Sequence, residues 1–289
     1  MTETINISKV YILVCRGIGE KPGDHTMLVR GLRKWLPDGA YEIREILWKA
    51  SYGIVPELRG SSYAAGLEEG MGLIHRELAS LPPLSRAFLV GYSAGATLAG
   101  NWIANGHQWV ARNVGPANAF MWRLLGVGLL ADPMRPEGGG CPAYTAPGFG
   151  IGGPRPVPAG DFPVWWLSDP RDPICSLERN SPLRTVADQT FAMSFDPGEF
   201  PAWIADLRDR LKERRFQPVE IPWWDPVAVV RQYLRAKDDL DGYLWRGEHV
   251  QYETRLVPGT VTTYLELLAV YIMKATRTAD PYYLERAGV

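Results

Sequence analysis

The stretch Phe88-Leu89-Val90-Gly91-Tyr92-Ser93-Ala94-Gly95-Ala96 constrains the fold more than any other part of the chain. Apolar residues run into Gly-x-Ser-x-Gly, and small residues follow directly. The pattern predicts a strand, a sharp turn and a helix, with the glycines permitting an elbow that holds a serine hydroxyl at a sheet's end. Ser93 is therefore the candidate nucleophile. It would sit near a helix N-terminus, whose amides and dipole favour negative charge developing beside it. Such a serine needs a base, an acid that orients the base, and donors for an oxyanion.

The chain around the elbow alternates strands and helices. Val10 to Cys15 is a continuous apolar run of strand length, followed by the glycine-rich turn Arg16-Gly17-Ile18-Gly19-Glu20. Met27 to Leu36 reads as a helix and Tyr41 to Trp48 as a strand. A helix starts at Ser61-Ser62, carries Leu67, Met71, Ile74 and Leu78 at helical spacing, and stops at Pro82-Pro83. The helix after the elbow is expected to run to about Ala104. Leu124 to Ala131 and Phe162 to Leu167 read as further strands. Residues 136 to 161, rich in Gly and Pro, form a long loop. Within it Gly148-Phe149-Gly150-Ile151-Gly152-Gly153 imitates a nucleotide-binding turn, but no strand leads in and Pro154, Pro156 and Pro158 block the helix that such a turn requires. From Ser176 to Trp245 helices and loops dominate, and Val261, Leu265, Leu268 and Ile272 mark a closing amphipathic helix. This order predicts an α/β fold with a mainly parallel sheet flanked by helices. Residues 1–175 and 246–289 would form the catalytic domain, with 176–245 as a helical insertion within it.

The base is constrained by scarcity, because the chain holds four histidines. His75 lies mid-helix, His107 at a helix end, and His25 in the loop after the first strand. Only His249 lies far beyond Ser93, and a Ser…Asp…His chain order suits a doubly wound hydrolase sheet. The acid belongs on a loop after a late strand, which offers Asp172, with Asp169 as the alternative. The oxyanion donors would be the backbone N–H of Ala94 and one from the loop at Gly17-Ile18.

At 289 residues the chain is long enough for one large domain with a sizeable core, and 46% of it is hydrophobic. A net charge of −1 without any Lys/Arg run gives no footprint for nucleic acid. Cys15, Cys141 and Cys175 have no metal-site spacing, and neither metal nor cofactor is called for. Met1 to Lys9 is polar, with no apolar stretch of a Sec-type signal, and no run reaches the ~18–20 apolar residues of a transmembrane helix. Synthesis in a cytoplasm is expected, with any work outside it needing another exit. Trp203, Trp223 and Trp224, in the helical block, are candidates for an apolar ligand surface.

Arg16-Gly17-Ile18-Gly19-Glu20 resembles the Arg-Gly-(Ser/Thr)-x-Glu turn of cutinases, and Gly91–Gly95 resembles their Gly-Tyr-Ser-Gln-Gly elbow. A fuller similarity is to the cutinase-related lysin B esterases of mycobacteriophages. It extends through Asp132-Pro133-Met134-Arg135, Gly148-Phe149-Gly150-Ile151, the turn ending in Asp172, and the Gly-x-His turn at His249. The resemblance implies an α/β-hydrolase fold and a Ser93–Asp172–His249 triad, with Ile18 and Ala94 as oxyanion donors. It further implies an esterase that cleaves mycolic acids from arabinogalactan in the cell envelope during phage lysis; a monomer is expected. A cutinase- or lipase-like esterase of simpler lipids is the alternative. Ala94 stands where cutinases carry Gln, and Ile18 where they carry a hydroxyl residue, so both positions keep only their backbone donors.

Overall fold

A computed structural model of the chain describes residues 9–53, 56, 60–113, 121–156, 162–190 and 200–279. Five strands form one wholly parallel sheet: β1 (Val10–Cys15), β2 (Tyr41–Glu45), β3 (Ala87–Tyr92), β4 (Leu124–Leu130) and β5 (Val164–Leu167), in the order β2-β1-β3-β4-β5. Every residue of β1, β3 and β4 is buried, which is why these strands read as unbroken apolar runs. The edge strand β2 is half-buried and carries Glu42, Arg44 and Glu45.

Side-chain alternation divides the core in two. Val10, Ile12 and Val14 point to one face, where α1 (Met27–Trp35) and α7 (Tyr264–Ala279) pack through Leu28, Leu32, Leu265 and Leu268. Tyr11, Leu13 and Cys15 point to the other face, against α2 (Tyr63–Ser80) and α3 (Ala94–Asn113) through Leu67, Ile74, Leu98 and Trp102. Ser62 caps α2, its hydroxyl accepting from the Ala65 N–H at 3.3 Å.

The chain steps outward from β1 to β2, then back across β1 to β3. Strand order therefore reverses between β1 and β3, and a crevice opens at their carboxyl ends. The elbow after β3 and the glycine turn after β1 meet there. Three further helices, α4 (Leu183–Thr190), α5 (Phe200–Glu213) and α6 (Pro226–Leu244), lie between β5 and α7, and the described residues of 176–245 contain no sheet strand. Asp225 caps α6, accepting from the Val227 and Ala228 N–H groups at 3.0 Å.

Several boundaries differ from the sequence expectation. β2 stops at Glu45, because the Trp48 and Ala50 N–H groups turn back to the carbonyls two residues before them. β5 starts at Val164, since Pro163 has no N–H for the ladder. α3 continues to Asn113, past Ala104. Val261 is 90% exposed and lies outside α7. That helix is started by a reciprocal pair: Thr263 Oγ1 accepts from the Glu266 N–H, and Glu266 Oε2 accepts from the Thr263 N–H, each at 3.3 Å.

Candidate active site

Ser93 follows β3 directly and adopts φ +54°, a left-handed conformation that a non-glycine residue takes only when its surroundings enforce it. They do so from three sides. The Ser93 N–H donates to the Leu130 carbonyl at the end of β4 (2.9 Å). A Cβ on Gly91 would lie 2.3 Å from the Gly95 carbonyl oxygen, and a Cβ on Gly95 only 2.0 Å from that of Cys15. Both glycines are thus required by close backbone approach.

His249 sits on a short 3-10 turn (Glu248–Val250) between α6 and α7, entered through Gly247 at φ +62°. Its ring stacks on Tyr92 with centroids 5.3 Å apart, and the Tyr92 hydroxyl donates to the His249 carbonyl (2.8 Å). Ring and backbone are both held by a residue of β3. His249 Nδ1 lies 2.8 Å from Asp172 Oδ2, and Nε2 lies 2.7 Å from Ser93 Oγ. The carboxylate can only accept, so it fixes the ring proton on Nδ1 and leaves Nε2 facing the serine O–H.

Asp172 is fully buried on the loop after β5. Besides His249, its Oδ2 accepts from the Tyr252 hydroxyl (2.8 Å), and its Oδ1 accepts from the Ile174 N–H (3.0 Å). Asp169 faces elsewhere: it accepts from the Arg171 N–H and pairs with Arg255 at 2.7 Å. Geometry thus separates the two aspartates, which sequence spacing left open. Burial, reinforced by the Asp172 charge, pushes the hydroxyls of Tyr92 and Tyr252 and the Cys175 thiol well above their usual range, so all three keep their protons.

Ile18 and Ala94 border the same cleft as Ser93. The Gly17 N–H is already given to Glu20 Oε2 (2.8 Å), and a Cβ on Gly17 would touch Ser93 Cβ at 3.4 Å, so the turn after β1 lies flat against the elbow. Arg16 holds that turn in place by donating to the carbonyls of Trp48 and Glu20.

The cleft has a volume of about 870 Å³, and its walls are largely apolar. Met134 and Ile151 come from the loop between β4 and β5, Leu183 and Val186 from α4, and Leu240 and Leu244 from α6. A small polar group, Glu20, His25, Arg30 and Glu253, also lines it; Arg30 pairs with Glu253 and donates to the His25 carbonyl, while Glu20 accepts from the Gly17 and Met27 N–H groups.

Two of the tryptophans singled out from sequence do not contribute. Trp223 and Trp224 are 70% and 83% exposed just before α6 and do not line the cleft. At 19 residues α6 is roughly 28 Å long, and it is the far, C-terminal end that reaches the cleft. The side chain of Trp203 lies outside the described residues, as does that of His107. His75 is buried in α2, away from the cleft lining. Among the described residues no His/Cys/Asp/Glu group could hold a metal ion, and no helix is long and apolar enough to cross a membrane.

Sequence reading missed the buried arginines that shape the walls. Arg135 donates to the carbonyls of Cys175, Gly139, Ala146, Pro147 and Gly148. Arg184 of α4 donates to those of Phe149, Gly150, Leu177 and Glu178, and stacks 3.5 Å over the Phe149 ring. Burial lowers its pKa to about 10, which still leaves it charged at neutral pH. Arg155 pairs with fully buried Asp132 (3.0 Å), which also accepts from Trp166 Nε1. The one signal in the sequence is the stretch Asp132-Pro133-Met134-Arg135, which carries Arg135.

The chain matches no family model and no curated protein. Among solved structures it is similar to the catalytic core domain of acetyl xylan esterase from Trichoderma reesei (16% identity, TM-score 0.47, 69% of this chain and 99% of that one). It is similar to lysin B from Mycobacteriophage D29 (17% identity, TM-score 0.44, 80% and 98%). A cutinase-like protein from Cryptococcus sp. is a further neighbour (14% identity, TM-score 0.41, 73% and 97%).

Proposed function

We propose that the chain is a serine ester hydrolase in which Ser93, His249 and Asp172 act as nucleophile, base and orienting acid. The observation that carries this reading is the continuous pair of hydrogen bonds, Ser93 Oγ to His249 Nε2 at 2.7 Å and His249 Nδ1 to Asp172 Oδ2 at 2.8 Å, beneath an apolar cleft. Ser93 Oγ attacks an ester carbonyl while its proton passes to Nε2, and the imidazolium so formed is stabilised by Asp172. The N–H groups of Ala94 and Ile18 hold the oxyanion. His249 then gives the proton to the departing alcohol. Water, deprotonated by the same nitrogen, cleaves the acyl-serine and restores the hydroxyl.

Within this class the substrate we favour is a long-chain acyl ester of a hydroxylated partner, specifically the mycolyl ester of arabinogalactan. The sequence motifs shared with lysin B esterases support that choice. So does an extended apolar cleft beside the polar Glu20–His25–Arg30–Glu253 cluster, which suits a fatty chain joined to a sugar alcohol. On this reading the protein is made in the cytoplasm of an infected cell, meets its substrate in the envelope at lysis, and works as a monomer, with 176–245 forming a helical cover within one catalytic domain.

The test is Ser93→Ala. The variant is expected to fold, to lose hydrolysis of p-nitrophenyl butyrate, and to escape the fluorophosphonate labelling that marks the wild type. Retained turnover refutes the nucleophile. Release of free mycolic acids from purified mycolyl-arabinogalactan supports the specific substrate; turnover of simple lipid esters alone refutes it in favour of the cutinase- or lipase-like reading.

A further inference from the structure

Beneath the site, one phenol occupies a position that the triad does not account for. Tyr252 is 1% exposed and does not line the cleft. It lies three residues after His249, and the side chains of both converge on one oxygen, Asp172 Oδ2, each at 2.8 Å. The Tyr252 ring is held by Tyr264 (centroids 5.0 Å apart) and by the edge-on ring of Tyr92 (6.1 Å).

Proton accounting fixes the direction of the bond. The Tyr252 oxygen accepts from the Asp169 N–H at 3.2 Å, so its own single proton is available to Asp172 Oδ2 or to Cys175 Sγ, 3.2 Å away. A carboxylate is much the stronger acceptor, and the bond to it is charge-assisted. Burial keeps the phenol protonated, so the donor is in place throughout the neutral range.

We propose that Tyr252 is a positioning residue for the hydrolysis: its hydroxyl shares Asp172 Oδ2 with His249, fixing the carboxylate's orientation and limiting the negative charge that oxygen presents to the imidazolium. This rests on the triad reading and deepens it. Two consequences follow from the sharing. The carboxylate is held between donors on both oxygens, Tyr252 with His249 on Oδ2 and the Ile174 N–H on Oδ1, so it cannot rotate away from the ring. The charge on that oxygen is also divided between two donors, so Asp172 stabilises the imidazolium less than the carboxylate of an unshared Asp–His pair would.

The other ionisable and charged groups facing this set include Tyr92 from β3, Tyr243 from α6, Tyr264 from α7, Cys175 from the loop after β5 with Arg135 on its carbonyl, and Arg255 with its partners Asp169 and Glu248. Burial and the Asp172 charge raise Tyr92, Tyr243 and Cys175, so none of them titrates where a histidine does.

The experiment compares wild type, Tyr252→Phe and Ser93→Ala on p-nitrophenyl butyrate across pH. Tyr252→Phe is expected to lower kcat roughly tenfold with KM unchanged, and to move the acidic limb of kcat/KM to higher pH. A residue that only filled space would leave that limb where it is. Site-specific 3,5-difluorotyrosine at 252 keeps the ring and the fold but makes the O–H a stronger donor, so the limb should move the opposite way, to lower pH. It therefore also covers the case in which Tyr252→Phe does not fold. Unmoved limbs in the folded variants, with Ser93→Ala inactive, overturn this assignment and leave the triad standing. Turnover retained in Ser93→Ala overturns the triad, and this assignment with it.

Discussion

Gly95→Ala adds one methyl group at the point where the elbow presses hardest on the sheet. Its Cβ would lie 2.0 Å from the Cys15 carbonyl oxygen, 2.5 Å from the Cys15 carbonyl carbon and 2.6 Å from the Arg16 oxygen. The nearest of these is about 1.4 Å short of ordinary van der Waals contact, and all three belong to backbone. β1 cannot retreat, because it is paired on both sides and buried throughout. α3 must therefore back away, carrying Ser93 and the Ala94 N–H with it. Overpacking of this kind costs about 1–3 kcal/mol of stability. A misplacement of about 1 Å at reacting groups costs up to ~100-fold in rate. The expected result is a folded protein with a cooperative but lowered urea midpoint, kcat on p-nitrophenyl butyrate down about 100-fold, and KM little changed. A variant with wild-type kcat and a stability loss below about 0.5 kcal/mol would refute the claim that this contact sets the serine's position.

Exchanging either aspartate for asparagine separates their duties: Asp172→Asn should reduce kcat by roughly 10³–10⁴ by favouring the wrong imidazole tautomer, whereas Asp169→Asn, which breaks the Arg255 pair, should stay within about tenfold. Ala187→Trp narrows the cleft between α4 and the elbow; KM for a p-nitrophenyl palmitate should rise at least about tenfold while butyrate turnover is kept, and parallel losses on both esters would contradict the assigned acyl path. All three cysteines are unbridged, and burial raises the thiols of Cys15 and Cys175, so DTNB should label half-buried Cys141 alone in the native protein and all three after unfolding. Burial also raises Asp239 on α6, so the native state favours the protonated acid and loses stability as pH climbs through the carboxylate range; Asp239→Asn should stabilise at about pH 7 and lose that advantage at about pH 3, as measured by urea denaturation.

What could be read from sequence followed the strength of local rules. The buried strands were legible because a strand covered on both faces must be apolar at every position, as β1, β3 and β4 are. The elbow was legible because two of its glycines are demanded by backbone contact, and the pairing of Ser93 with His249 because few histidines compete. The lining of the cleft was not. Trp223 and Trp224 looked like groove residues, but which end of α6 meets the cleft is a matter of tertiary packing, and it is the end with Leu240, Tyr243 and Leu244. Val261 fitted the spacing of α7, yet the Thr263–Glu266 cap starts the helix beyond it. The walls were hidden for another reason: Arg135 and Arg184 bond to carbonyl oxygens, which every residue type supplies, so their partners leave no mark in the sequence.

That last point has a consequence for how the region between β4 and β5 can change. A strand holds its neighbours through a ladder that needs a particular register and two faces of suitable side chains. The Arg135 guanidinium instead sits as a guest cation inside a ring of five main-chain oxygens, from Gly139, Ala146, Pro147, Gly148 and Cys175. Such a ring specifies the path of the chain rather than its side chains, except where the path leaves no room for a Cβ, as at Gly148 (2.4 Å from the Leu177 carbonyl oxygen) and Gly150 (2.2 Å from that of Pro133). The rim of the cleft at Ile151 and Gly152 hangs from this same loop. Where the path leaves room for a side chain, as at Ile151, that side chain is therefore open to replacement while the buried arginines carry the shape.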